Sequence, residues 1–379
     1  MRIGIYTQPL RLNYGGILQN WALQTVLKRM GHQVVTLDPC PYLTLSWKQK
    51  PIRYAKRIVR KLLGKPTILF YEDKKNREYD IQSQHLRHFI SANINRLEFN
   101  SVNELQATSY DALIAGSDQV WRPKYNKTYG RTIENAFLDF AEDWNVTRIA
   151  YSVSLGTDEW EFTDTQTARC SRLAKKFDAI SVREQSSVAL CKQYLGVDSV
   201  HVLDPTMLLE KEDYIQLVQN SQTEESKGSL LCYILDDNDE KRMLIDRIVK
   251  ERRLVPFYGN NPKMNDNTLT PTERIQPPLE QWLRGFMDAE FVVTDSFHAC
   301  VFSIIFGKPF VVVGNKERGL SRFESLLSIF GLQSHLIGSS SEYNPECSYV
   351  IGAEVASMLE AKKKESINFL KESLLDRVS

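Results

Sequence analysis

The chain has no CxxC pair, no HxH and no acidic DxD pattern in a cleft-like context, so its sequence marks no metal site. Its six cysteines, Cys40, Cys170, Cys191, Cys232, Cys300 and Cys347, are scattered, and reduced thiols are the reading for all of them. Long apolar runs are missing too, and the opening MRIGIYTQPL lacks the apolar core of a signal peptide. Those two absences predict a soluble, cytoplasmic protein. Net charge is almost absent: 48 Lys and Arg against 47 Asp and Glu leave +1. No global attraction to nucleic acid follows, and any basic patch has to be local. Neither an internal repeat nor a low-complexity segment breaks the 379 residues, a length that suits two domains with a core each.

What is present is an alternation of short apolar runs with helical periodicity. RIGIYT reads as a strand, NYGG as a turn, ILQNWALQTVLKRMG as a helix stopped by Gly31, and QVVTLD as a second strand. That βαβ opening favours a parallel sheet with helices on its faces. Further strands are predicted at 111–116, 148–154, 179–184 and 199–205, and a second series begins after the polar stretch 220–228. The expected organisation is an N-terminal α/β domain over 1–210 and a C-terminal α/β domain over 211–379.

In TDSFHACVFSIIFGKPFVVV, residues 294 to 313, one histidine stands where a polar cluster meets an apolar run. Thr294, Asp295 or Ser296 caps the helix that follows, and His298 falls in its first turn. A helix that begins where a parallel strand ends points free N–H groups into the crevice where such sheets bind ligands. His298 there suits proton exchange or a hydrogen bond to phosphate; the plain alternative is a core histidine bonded to a neighbouring carbonyl.

Four segments in order carry a resemblance: NYGGILQNWALQTVLKRMGHQV (13–34), LIAGSDQVWRP (113–123), ISVREQSSVALCKQYLG with VLDPTMLL (180–209), and VTDSFHACVFSIIFGKPFVVV followed by RGLSRFESLL (293–327). The ordered set resembles the polysaccharide pyruvyl transferase family. The resemblance implies two facing Rossmann-like domains, GT-B-like, with the active site in the interdomain cleft. It further implies transfer of pyruvate from phosphoenolpyruvate onto a sugar diol of a surface or capsular polysaccharide precursor as a ketal, without a cofactor. It places His298 in the donor site and Arg183 on the donor phosphate or carboxylate. Ser296 and Phe297 precede His298, and some relatives carry an arginine where Ser296 stands.

The residues admit roles that this chemistry needs. Ketal formation requires a group that acts as acid and then as base, for which His298 is the candidate and Asp118 the second. A guanidinium fork suits the donor's anions, so Arg183, Arg318 and Arg322 are candidate contacts; pairing with Glu184 or another surface acid is the alternative for Arg183, and a solvated helix face is the alternative for Arg318 and Arg322. Asn13, Gly15 and Gly16 form a turn that either admits a ligand close to the backbone or is only a turn. Ser117 and Asp118 follow a strand, and Trp121 offers an aromatic face to a sugar; Asp118 as a helix cap is the other reading.

Residues 46–65 stand apart. Lys48, Lys50, Arg53, Lys56, Arg57, Arg60, Lys61 and Lys65 lie among no acids, while Ile52, Ala55, Ile58, Val59, Leu62 and Leu63 recur at helical spacing. Such a helix either rests on an anionic membrane, at the inner face of the plasma membrane beside a lipid-linked or polymer acceptor such as a galactoside, or packs on its own domain. Two other functions fit the same architecture: a nucleotide-sugar glycosyltransferase and a non-catalytic carbohydrate-binding relative.

Overall fold

The computed structural model describes residues 1–45, 47–126, 131–264, 266–314 and 319–375. Two parallel sheets organise them. The first contains β1 (Arg2–Tyr6), β2 (Gln33–Pro39), β3 (Arg96–Phe99), β4 (Ala112–Ala115), β5 (Thr147–Val153), β6 (Ala179–Val182) and β7 (Val200–His201). The second contains β8 (Leu230–Tyr233), β9 (Pro256–Tyr258), β10 (Phe291–Thr294), β11 (Phe310–Val313) and β12 (Leu336–Ile337). Strands such as ALIA, FVVT and FVVV are buried at every position, as expected of parallel sheets covered by helices on both faces.

The strand orders fix where ligands can bind. The first sheet runs β3-β2-β1-β4-β5-β6-β7 and the second β12-β11-β10-β8-β9. The order reverses between β1 and β4 in one and between β8 and β10 in the other, and such switch points open crevices beyond the carboxyl ends of the strands. A single apolar cluster joins the halves, running from Ile3, Ile5 and Leu23 to Leu231, Trp282 and Phe302. Tyr14, at the start of the helix after β1, stacks on Trp282 with centroids 5.6 Å apart and donates its hydroxyl to the Pro277 carbonyl at 2.8 Å.

The sheets separate between His201 and Leu230. The last helix, Glu354–Leu375, which the sequence division assigns to the second half, packs on the first. Its Phe369 ring lies 6.2 Å from Tyr151 of β5, its Ser366 hydroxyl accepts from the Leu203 amide at 3.0 Å, and Lys363 binds Glu210 at 2.8 Å. No helix among the described residues is long and apolar enough to cross a membrane.

Candidate active site between the two sheets

Both switch points deliver polar side chains to one place. Asn13 follows β1, Asp118 follows β4, Arg183 follows β6 and Asp204 follows β7, while His298 follows β10 and Arg322 follows β11. His298 is the second residue of the helix Phe297–Phe306, in the first turn as its sequence predicts. Ser296 is the N-cap but makes no side-chain cap bond; Thr294 takes the Ser296 amide at 3.0 Å, and Asp295 instead holds Lys241 at 2.7 Å together with the Leu235 and Asp236 amides. Among the described residues, therefore, the Ser296 cap position puts no side-chain hydrogen bond on the helix's amide end.

His298 crosses to the first half. A Cβ added to Gly15 would lie 2.1 Å from the imidazole, so the ring rests directly on the backbone of the helix after β1. Of the two turn glycines, Gly15 makes room for His298, and a Cβ added to Gly16 would lie 3.0 Å from the Asn13 side-chain amide. The imidazole Nε2 lies 3.6 Å from Asp204 Oδ2, too long for a hydrogen bond, and is buried without a hydrogen-bond partner among the described residues.

Carboxylates enclose the arginines. Arg183 donates to Asp204 at 3.0 Å and to Asp118 at 3.2 Å, with Glu184 at 3.6 Å, and its guanidinium lies over the Phe297 ring at 4.4 Å. The guanidinium expected to face an anion openly is thus already clasped by two carboxylates. Arg322 lies against the same ring, 5.7 Å from the Phe297 centroid, buried rather than on a solvated face. Burial and the neighbouring Arg183 push its guanidinium down to about 10. Ser117 donates to Asp204 at 3.3 Å. Arg318 lies outside the described residues.

Burial alone pushes the Asp118 carboxyl up, but the charges of Arg183, His298 and Arg322 outweigh it and hold it below its ordinary value. Asp204 is also buried, and His298, Arg183 and Thr206 hold it well below. Both carboxylates are therefore charged partners, and Asp118 is a poor proton acceptor at neutral pH. Asp118 occupies the left-handed region at φ +67, where a side chain is strained; the Asp118 amide conformation brings its Oδ1 to Arg183 and its Oδ2 to within 3.4 Å of the Asn13 amide. Strain kept at a charged cluster is the pattern of a functional position.

Trp121 does not belong to this site. It is fully buried, stacked on Phe137 with centroids 4.2 Å apart, and donates its indole N–H to the Ala136 carbonyl at 3.0 Å. Sequence reasoning passed over Asp204 and Tyr14. The signal for Asp204 was its place after a strand and before Pro205, which reads as a turn cap; it does cap, taking the Thr206 amide at 3.0 Å with the oxygen that does not face Arg183.

A family model described as polysaccharide pyruvyl transferase matches residues 13–317. The chain belongs to the polysaccharide pyruvyl transferase family. The matched span contains Asn13, Asp118, Arg183, Asp204 and His298, and ends within the segment after β11. No protein of curated function matches this member of the family. Among solved structures it is similar to HepE of Anabaena in complex with UDP, at 12% identity and a TM-score of 0.52 over 99% of both chains. It is also similar to the UDP-GlcNAc 2-epimerase of Neisseria meningitidis bound to UDP-GlcNAc, at 10% identity and a TM-score of 0.50 over the whole of both chains. At such identities the likeness establishes the fold: two Rossmann-like domains in a GT-B-like arrangement, with the charged cluster where they meet.

Proposed function

We propose that this transferase moves pyruvate from phosphoenolpyruvate onto two hydroxyls of a sugar in a surface or capsular polysaccharide precursor. The observation that carries the reading is His298: a buried imidazole nitrogen without a hydrogen-bond partner among the described residues, facing Asp204 across the domain junction, in a chain of the pyruvyl transferase family. The uncapped helix start at Ser296, with Arg183 and Arg322, supplies the positive ends for the donor's phosphate and carboxylate. Asp118 and Asp204 yield part of their hold on Arg183 as the donor binds.

The proton account closes with one group. His298 delivers a proton to the methylene carbon, making it methyl, and the central carbon takes the first sugar hydroxyl, whose proton returns to His298. Phosphate then leaves with the C–O bond electrons, the second hydroxyl closes the ketal, and its proton passes to the departing phosphate. Asp204 Oδ2, 3.6 Å from Nε2, is the carboxylate beside the ring.

Incubation with phosphoenolpyruvate and a lipid-linked or synthetic galactoside tests the reading. Released phosphate and a ketal-bearing product by mass analysis support it. Consumption of a nucleotide sugar instead assigns a glycosyltransferase, and binding of the sugar without turnover of either donor assigns a carbohydrate-binding relative.

A further inference from the structure

We infer that the helix Gln49–Leu62 seats the protein on an anionic membrane surface. None of its residues is buried, and its apolar side chains stand in solvent: Leu62 is 82% exposed, Leu63 just beyond it 68% and Ile52 60%. At 100° per residue, Ile52, Ala55, Ile58, Val59, Leu62 and Leu63 share one face, while Lys50, Arg53, Lys56, Arg60 and Lys61 occupy the other. Trp47, Ile68 and Phe70, exposed at either end, extend the apolar surface.

The helix is fastened from its cationic side. Arg57 donates to both Glu72 oxygens at 2.6 Å and to the Leu69 carbonyl at 3.0 Å, and Tyr54 meets Phe70 edge-on with centroids 5.7 Å apart. Its apolar face is thereby held outward, with every member exposed. A water-facing apolar stripe flanked by unmatched cations fits the headgroup boundary of an acidic bilayer: the stripe enters the acyl edge and the cations reach the phosphates. A neutral protein groove would match the stripe without using the cations, and a second copy of this helix would bring like charges together.

The position of the helix relative to the site gives the contact a purpose, on the proposed reading of the function. A cavity of about 1060 Å³ begins at Lys61 and Phe70 and shares Lys75, Glu78 and Arg274 with a second, of about 480 Å³, that ends at Leu12. Leu12 precedes Asn13 of the charged cluster. A glycan carried on a membrane lipid would lie along this basic groove, between the helix and the segment that leads into Asn13.

Vesicle binding tests the inference without any activity measurement. The full chain is sedimented with phosphatidylglycerol–phosphatidylcholine vesicles, with pure phosphatidylcholine vesicles and alone, at rising salt. Two variants accompany it: one with Lys50→Gln, Arg53→Gln, Lys56→Gln and Arg60→Gln, and one with Ile52→Ser, Ile58→Ser and Leu62→Ser. All these positions are exposed, so both variants keep the parent's melting profile. The inference expects binding to acidic vesicles only, weakening with salt, and a fall of roughly tenfold or more in partition for either variant. Equal sedimentation of parent and charge variant overturns it. So does a concentration-dependent dimer that the serine variant abolishes while vesicle binding is absent.

Discussion

Arg183 and Arg322 sit in the dry junction between the sheets, whereas Arg53 and Arg60 stand in solvent on the basic helix. Arg183 meets the carboxylates of Asp118, Asp204 and Glu184 within a few ångströms, and Arg322 lies against the same Phe297 ring; Arg53 and Arg60 form no ion pair within 4 Å among the described residues. Interior charges survive only when their partners come with them, because desolvation outweighs any single attraction. Exposed charges need no partner, and their field reaches outward by about a Debye length, ~8–10 Å at physiological salt. The same side chain therefore builds a rigid, neutralised device in one place and an unmatched field in the other. The difference predicts which substitutions damage chemistry, which damage folding and which damage neither.

The sharpest test removes the proton carrier. His298→Gln keeps hydrogen-bonding ability but not proton exchange, and turnover measured by phosphate release should fall on the order of 100-fold to 10,000-fold, with donor affinity within a few-fold of the parent. The parent's pH–rate profile should lose one limb in the variant. Turnover within a few-fold of the parent, with both limbs kept, assigns proton transfer to another group.

Asp204→Asn comes next and acts on the fold. Arg183 loses one of its two clasping carboxylates in a buried setting, and denaturant unfolding should show a loss of about 3–5 kcal/mol. The sign of its pH dependence follows from the depressed carboxyls. Asp118 and Asp204 stabilise fully above about pH 4, where unfolded carboxyls ionise, and the contribution drains away as pH falls below that toward their folded values. Parent stability should drop more steeply from pH 5 to pH 3 than that of the asparagine variant; parallel curves would mean the pair is not coupled as described.

Gly15→Ala probes the join between the halves. A methyl group within the His298 ring forces the imidazole or the helix to shift, at a cost of about 1–3 kcal/mol, and turnover should fall because the ring loses its seat. The smallest effect belongs to the exposed helix: Arg53→Gln with Arg60→Gln should move unfolding free energy by no more than about 0.5 kcal/mol. A larger loss there would erase the contrast with the junction.

The fold was legible where a short-range pattern carries it. The βαβ opening, the strand before His298 and the placement of His298 in the first helical turn all follow from apolar runs of strand length abutting helical periodicity. The site was legible in part, because residues after parallel strands gather at one edge whatever their sequence separation. Partners were not legible. Asp204 looks like a turn cap because one oxygen serves as one, and nothing local reveals the other oxygen on Arg183. Trp121 follows polar residues and reads as exposed, yet its stacking partner Phe137 and edge contact Phe177 come from later elements. Arg57 shares the periodicity of its free neighbours, and only the turn to Glu72 sets it apart.

The helix Glu354–Leu375 covers β5 of the first sheet, although it is made after the whole of the second. On the ribosome, at ~5–20 residues per second, the first seven strands would wait roughly ten to thirty seconds for that cover. During the interval Tyr151 and the Leu203 amide lack the Phe369 and Ser366 that later shield them. The first half thus leaves the ribosome as a nascent unit with one flank open, and this later-made helix is the latch that closes it. A chain shortened before residue 354 would lose stability in its earliest-made half, while the sheet synthesised next to the missing helix kept its own core.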